Sequence, residues 1–221
     1  MEIDIMRHVG AVEREVGSRD RDGRTVRVVT ASRVYPTVID DLWDAITSAE
    51  RIPRWFLPVS GDLRLGGRFQ LEGNAGGDIT GCDPPRSLSL TWEFGGEVSW
   101  LEVLLSESGE DATRLELQHA APLSDDRWRE FGPGAVGVGW DLALMGLGRH
   151  LESAAPVDRE AVGAWMADQG RDFMRRSSEA WGEASLQAGT DEASARAAAA
   201  RTIAAYTGME EPAEAESGSD R

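Results

Sequence analysis

The sequence predicts an α+β fold: an antiparallel sheet packed on one long helix, with a helical extension behind it. Three observations carry that expectation. Apolar and polar residues alternate with a period of two over 24–35 and 61–121, as in strands with one dry face. The strand-like stretches follow one another through short loops, which antiparallel pairing alone allows. Residues 134–153 then switch to a helical period, with Trp140, Leu144, Leu147 and Leu151 on one stripe.

Taken in order, residues 1–23 are polar, mixed in charge and end in "SRDRDG", a pattern expected of a solvated loop. "RTVRVVTASRVY" (24–35) is the first strand, stopped by Pro36. "TVIDDLWDAITS" (37–48) sets Val38, Leu42, Ala45 and Ile46 on one helical face. Thr37 stands where a cap accepts a backbone hydrogen bond, and Asp40 and Asp41 suit the positive end. "AERIPRWF" is a shorter helical turn broken at Pro53, and "GDLRLGGRFQLEG" reads as a hairpin about Gly66-Gly67. "GGDITGC" is the next strand. "CDPPRSLSLTWEFGG" runs from a turn into a strand whose dry face holds Leu88, Leu90, Trp92 and Phe94. "EVSWLEVLLSE" and "TRLELQHAA", joined by the turn residues "SGEDA", complete the sheet.

The long helix carries five glycines, at 134, 137, 139, 146 and 148. Each weakens a helix by about 0.5–1 kcal/mol relative to Ala, and close approach to a curved sheet is the expected compensation. So few side chains there also leave room for a void. Beyond Pro156, two amphipathic helices are expected, the first with Trp165, Phe173 and Trp181 on its stripe, the second Ala-rich and stopped by Gly208. The expected organisation is a polar segment (1–23), a main domain (24–153), a helical extension (156–208) and a disordered acidic tail (209–221). The extension's stripe must cover the main domain or a second copy of the chain, so a homodimer through these helices is one expected partner arrangement.

Composition narrows the function. A net charge of −16 disfavours nucleic acid and anionic membranes as partners. Cys82 is the single cysteine, which removes internal disulfides and cysteine-based zinc sites. No apolar run resembles a signal peptide or a membrane span, so a cytoplasmic location is expected.

Five stretches together, "SAERIPRWF", "GGRFQLEG", "CDPPRSLSLTWEF", "TRLELQHA" and "GVGWDLALMGLGRHL", resemble the START-like SRPBCC superfamily. Within it the chain is similar to the bacterial relatives of the activator of heat-shock-protein-ninety ATPase, over about residues 24 to 153. The resemblance implies the helix-grip fold, a sheet wrapped on the long helix with a cavity often between them. Members of that superfamily bind lipids or hormones, cyclise polyketides or act on chaperones, so the fold leaves function open.

Among chemical motifs, "GPGAVG" (132–137) has dinucleotide spacing but follows a polar stretch instead of a strand, which excludes the nucleotide fingerprint. His119 shares a face with Leu115 and Leu117 and should point inward, as a hydrogen-bonded core histidine or as a ligand or acid–base group. His8 lies in the polar segment and His150 near a helix end, where a cation is favoured. The scattered histidines have no metal-ligand spacing, and neither metal nor cofactor is expected. Asp141 lies one residue off the apolar stripe, as an exposed helix-face carboxylate or a buried one of raised pKa; Glu72 and Glu102 pose the same choice.

Trp55, Phe56, Trp92 and Trp140 are expected to converge on one concave face. With Trp100, His119, Asp141 and Leu144 they form the candidate ligand-binding set, and no residue is assigned to catalysis. The expected function is binding of an apolar small molecule, of lipid, polyketide or aromatic type, between sheet and helix. A co-chaperone-like interaction module and a polyketide cyclase-like enzyme are the alternatives.

Overall fold

The structure is a computed structural model that describes residues 3–122, 125–153 and 159–208. Its sheet has eight strands, every neighbouring pair antiparallel. In chain order these are β1 (Glu13–Arg21), β2 (Arg24–Tyr35), β3 (Val59–Gly61), β4 (Arg68–Leu71), β5 (Gly76–Asp83), β6 (Ser87–Phe94), β7 (Glu97–Glu107) and β8 (Thr113–Ala121). Their spatial order is β1-β2-β8-β7-β6-β5-β4-β3. β3 to β8 therefore meander across the sheet, and the last strand returns beside β2. The chain must cross from one end of the sheet to the other between β2 and β3. Helix α2 (Ile39–Thr47) and a 3₁₀ turn (Ile52–Arg54) fill that crossing.

The inward faces of β2, β7 and β8, including Ala31, Val103 and Leu117, form one core with Val138, Leu144 and Leu147 of a long helix. The chain also has short helices α1 (Ile5–Gly10) and α3 (Asp125–Phe131), and the long helix is α4 (Gly134–Ser153). The sheet and α4 give the helix-grip arrangement expected of the sequence.

Several local expectations are corrected. The N-terminal segment is not a loop: it forms α1 and β1, and β1 pairs with β2 over its full length. Its charges divide between the faces: Arg19 and Arg21 lie outward against Glu102 and the Trp100 ring, while Arg14 points inward with Val12 and Val16. His8 is buried, its Nδ1 3.2 Å from a guanidinium nitrogen of Arg33. Thr37 does not cap α2 by accepting; its hydroxyl donates to Asp41 Oδ2 at 2.7 Å. Val38 precedes the helix and is exposed, so it leaves the face shared by Leu42 and Ala45. Phe94, at the end of β6, is 58 % exposed and does not join the inward row.

Over the described residues 159–208 the chain forms three helices, α5 (Arg159–Ala167), α6 (Gln169–Gln187) and α7 (Glu192–Thr207), because the expected first helix breaks at Asp168. The break folds Trp165 back onto Phe173, ring centroids 6.0 Å apart. Trp181 is fully buried in the main core beside Val138. The extension is thus part of the domain's interior and not an appendage, and its apolar stripe is already covered within one chain. Most of the glycines in α4 also serve this packing. A Cβ on Gly137 would lie 2.1 Å from the Trp181 ring and one on Gly134 2.9 Å from Thr202. Only Gly148 meets the sheet, at Arg33. The acidic tail expected over 209–221 lies outside the described residues.

Candidate functional site

Between the sheet and α4 lies a cavity of about 310 Å³, within the range of small-molecule sites. Its floor is the inward row of β6, β7 and β8, with Leu88, Leu90 and Trp92 on β6 and Leu101, Val103 and Leu117 beyond. Its roof is α4, through Trp140, Ala143, Leu144 and Leu147. The crossing segment closes one side: Trp43, Ile46 and Thr47 line it from α2, and Trp55 and Phe56 follow the 3₁₀ turn.

Aromatic rings build much of the wall. Trp55 and Phe56 stack at 5.4 Å, Phe56 and Trp140 at 6.4 Å, and Trp92 meets Trp140 edge to face at 5.1 Å. The 3₁₀ turn comes so close to α4 that a Cβ on Gly146 would lie 2.6 Å from the Trp55 carbonyl oxygen. The Trp55 indole donates to Ala45 O at 2.9 Å, which fixes its ring. Small residues on the helix, Ala143 above all, leave the volume that a larger side chain would fill.

The expected site residues divide. Trp55, Phe56, Trp92, Trp140 and Leu144 all face the cavity. Trp100 does not: Leu101 and Val103 take the inward phase of β7, so Trp100 falls on the outer face, packed on Val26, Val28 and Ala120. Arg21 lies over its ring at 4.3 Å. Asp141 is also elsewhere. It is buried at 1 % exposure on the opposite side of α4, paired with Arg14 of β1 at 2.8 Å and accepting from Ser177 of α6. Burial pushes its carboxyl up, and Arg14 and Ser177 offset part of that push. It ties the first strand, the long helix and the extension together.

His119 points inward as expected but stands behind the wall. Trp140 Nε1 donates to its Nδ1 at 3.0 Å, and that sets the tautomer: Nε2 carries the proton and donates to Ser99 Oγ at 2.8 Å. Ser99 in turn donates to Trp92 O at 3.1 Å. Both ring nitrogens are used, leaving none for a ligand. Burial lowers its pKa to about 4, so it is neutral over the physiological range and would not impart the pH-dependent binding its ordinary titration suggests. His150 likewise has its pKa lowered, by burial and then by Arg51, in place of the raised value that a helix end favours.

The sequence reading passed over Trp43, Ala143 and Leu147, and also Arg64, the one charged side chain of the wall among the described residues. Trp43, Ile46 and Thr47 recur at helical spacing, a signal that was available; nothing local marked Arg64. Among the described residues no three His, Cys, Asp or Glu side chains converge as a metal site, and no helix is long and apolar enough to cross a membrane.

Comparison with known proteins agrees with this architecture. The family model described as Activator of Hsp90 ATPase homolog 1-like protein matches residues 36–152. The crystal structure of CalU16 from Micromonospora echinospora is 36 % identical, with a TM-score of 0.62, over 80 % of this chain and 97 % of that one. Its solution structure gives 38 % identity and a TM-score of 0.66, over 82 % and 97 %. The similarity therefore extends past the stretch that the family model matches. DynU16, from the dynemicin biosynthetic locus, shares the fold at 22 % identity and a TM-score of 0.51, over 58 % of this chain and 48 % of its own. A search of curated proteins finds no match. By sequence and by fold, the chain belongs to the family of Activator of Hsp90 ATPase homolog 1-like proteins.

Proposed function

We propose that the protein binds an apolar, ring-bearing small molecule in the cavity between its sheet and α4. The observation that carries the reading is the wall itself: about 310 Å³ lined by aliphatic and aromatic side chains, with the Trp55 and Trp140 indole N–H groups already paired inside the protein. Such a surface rewards transfer of apolar area from water, and offset or edge-on rings add to it. The volume sits at the lower edge of the usual range, which favours two or three fused rings over a long lipid. Arg64 and Cys82 are the only titratable groups on the wall among the described residues, which supports binding over proton-transfer chemistry.

A panel of aromatic polyketides, flavonoids and fatty acids tests the reading by quenching of tryptophan fluorescence. The aromatic wall makes ring-bearing molecules the first probes to try. Saturable binding is expected, and it should disappear in Ala143→Phe, whose added ring fills the void while far-UV circular dichroism stays unchanged. Failure of every probe, or binding indifferent to Ala143→Phe, would overturn the reading.

A further inference from the structure

We infer that the cavity selects apolar acids: molecules with a ring system that fills the interior and a carboxylate or phenolate that rests on Arg64. This rests on the proposed binding in the same cavity and specifies the ligand's polar end.

Arg64 is the one charged group of the wall among the described residues, and several of the wall's neutral donors are already paired. Thr47 Oγ1 donates to Trp43 O at 2.7 Å, Trp55 Nε1 to Ala45 O and Trp140 Nε1 to His119, so these donors are spent. No Asp or Glu lines the cavity among the described residues. Arg64 uses its Nε on Asp62 Oδ2 at 2.7 Å, leaving both terminal guanidinium nitrogens open to a second acceptor. A fork of this kind fits the two oxygens of a carboxylate. An ammonium group would find no counter-charge on the wall, and at the rim it would meet Arg64 with only the exposed Asp62 beside it.

The position is right for a polar end left near water. Arg64 lies on the loop between β3 and β4, and its side chain is exposed although it lines the cavity. Its neighbour Leu65 is 60 % exposed, so the rim joins apolar and cationic surface. The loop is pinned by backbone bonds: Gly66 N donates to Ile79 O, Ile79 N to Gly67 O and Asp62 N to Arg68 O, each at 2.9 Å. The cation is thus held at the mouth of a chain whose net charge of −16 otherwise repels anions.

Three probes sharing one ring test this: naphthoic acid, its methyl ester and naphthylmethylamine, titrated calorimetrically near neutral pH. Because Arg64 is exposed and screened, its advantage is expected to be on the order of fivefold. The acid should bind about fivefold more tightly than the ester, and the amine most weakly. Arg64→Gln should remove that advantage, so that acid and ester bind alike, while Ala143→Phe should abolish binding of both. An ester that binds as well as the acid, or a preference that survives Arg64→Gln, overturns the inference and leaves the cavity reading standing. If the ester itself fails to bind, or binds equally to Ala143→Phe, the cavity reading falls and this inference with it.

Discussion

Gly137→Ala should unfold the protein more easily, although the same change stabilises most helices. Alanine in place of glycine inside a helix is worth about 1 kcal/mol in its favour. Here the new Cβ would lie 2.1 Å from Cε2, 2.4 Å from Nε1 and 2.5 Å from Cδ2 of Trp181. Ordinary carbon contacts are about 3.5–4.0 Å, so the overlap exceeds about 1 Å. The indole cannot swing aside, because it is fully buried between α4 and α6. Overpacking of this kind costs about 1–3 kcal/mol, and so deep an overlap belongs at the upper end. The net loss is about 2 kcal/mol, which for a chain of this length lowers Tm by roughly 4–8 °C. Gly163→Ala on α5 is the matched control, since nothing lies within 4 Å of its Cβ; it should raise Tm by about 2–4 °C. Thermal melts followed by far-UV circular dichroism, with urea unfolding as a check, read both. If Gly137→Ala is as stable as the parent, α4 and Trp181 are not in contact, and the extension is the appendage that the sequence alone suggests.

Two further predictions concern charge. The folded pKa of His119, about 4, lies below the ~6.5 of an unfolded histidine, so between them only the unfolded chain binds the proton. The contribution of the neutral ring is complete above about pH 6.5 and is lost as pH falls towards about 4, a loss of ~3 kcal/mol. Urea midpoints measured across that window should fall less steeply in His119→Gln, and equal slopes would refute a buried neutral histidine. Asp141→Asn leaves Arg14 buried without its counter-charge and should cost about 3–5 kcal/mol. Replacing both, Arg14→Leu with Asp141→Leu, should cost less than the single change; a double variant at least as unstable would show that the pair itself stabilises the fold.

The sequence carries most of the sheet and the long helix in its periodicity, because periods of two and 3.6 are imposed by local backbone geometry and survive in any context. The inward row of Leu88, Leu90 and Trp92 was legible for that reason, and the phase of Leu101 and Val103 already told against Trp100. It did not determine what distant residues do to one another. β1 read as a loop because its charged outward side chains hid its inward face, and because the partner of Arg14 stands 127 positions away on α4. His119 was sound as an inward residue, Asp141 was left between exposed and buried, and both were misplaced as ligand contacts, since the acceptor or donor that uses up each atom comes from another strand or helix. The cavity belongs to the same class. A void is a small difference between the space enclosed by sheet, α4 and the crossing segment and the side-chain volume put into it, and only the tertiary arrangement sets both quantities.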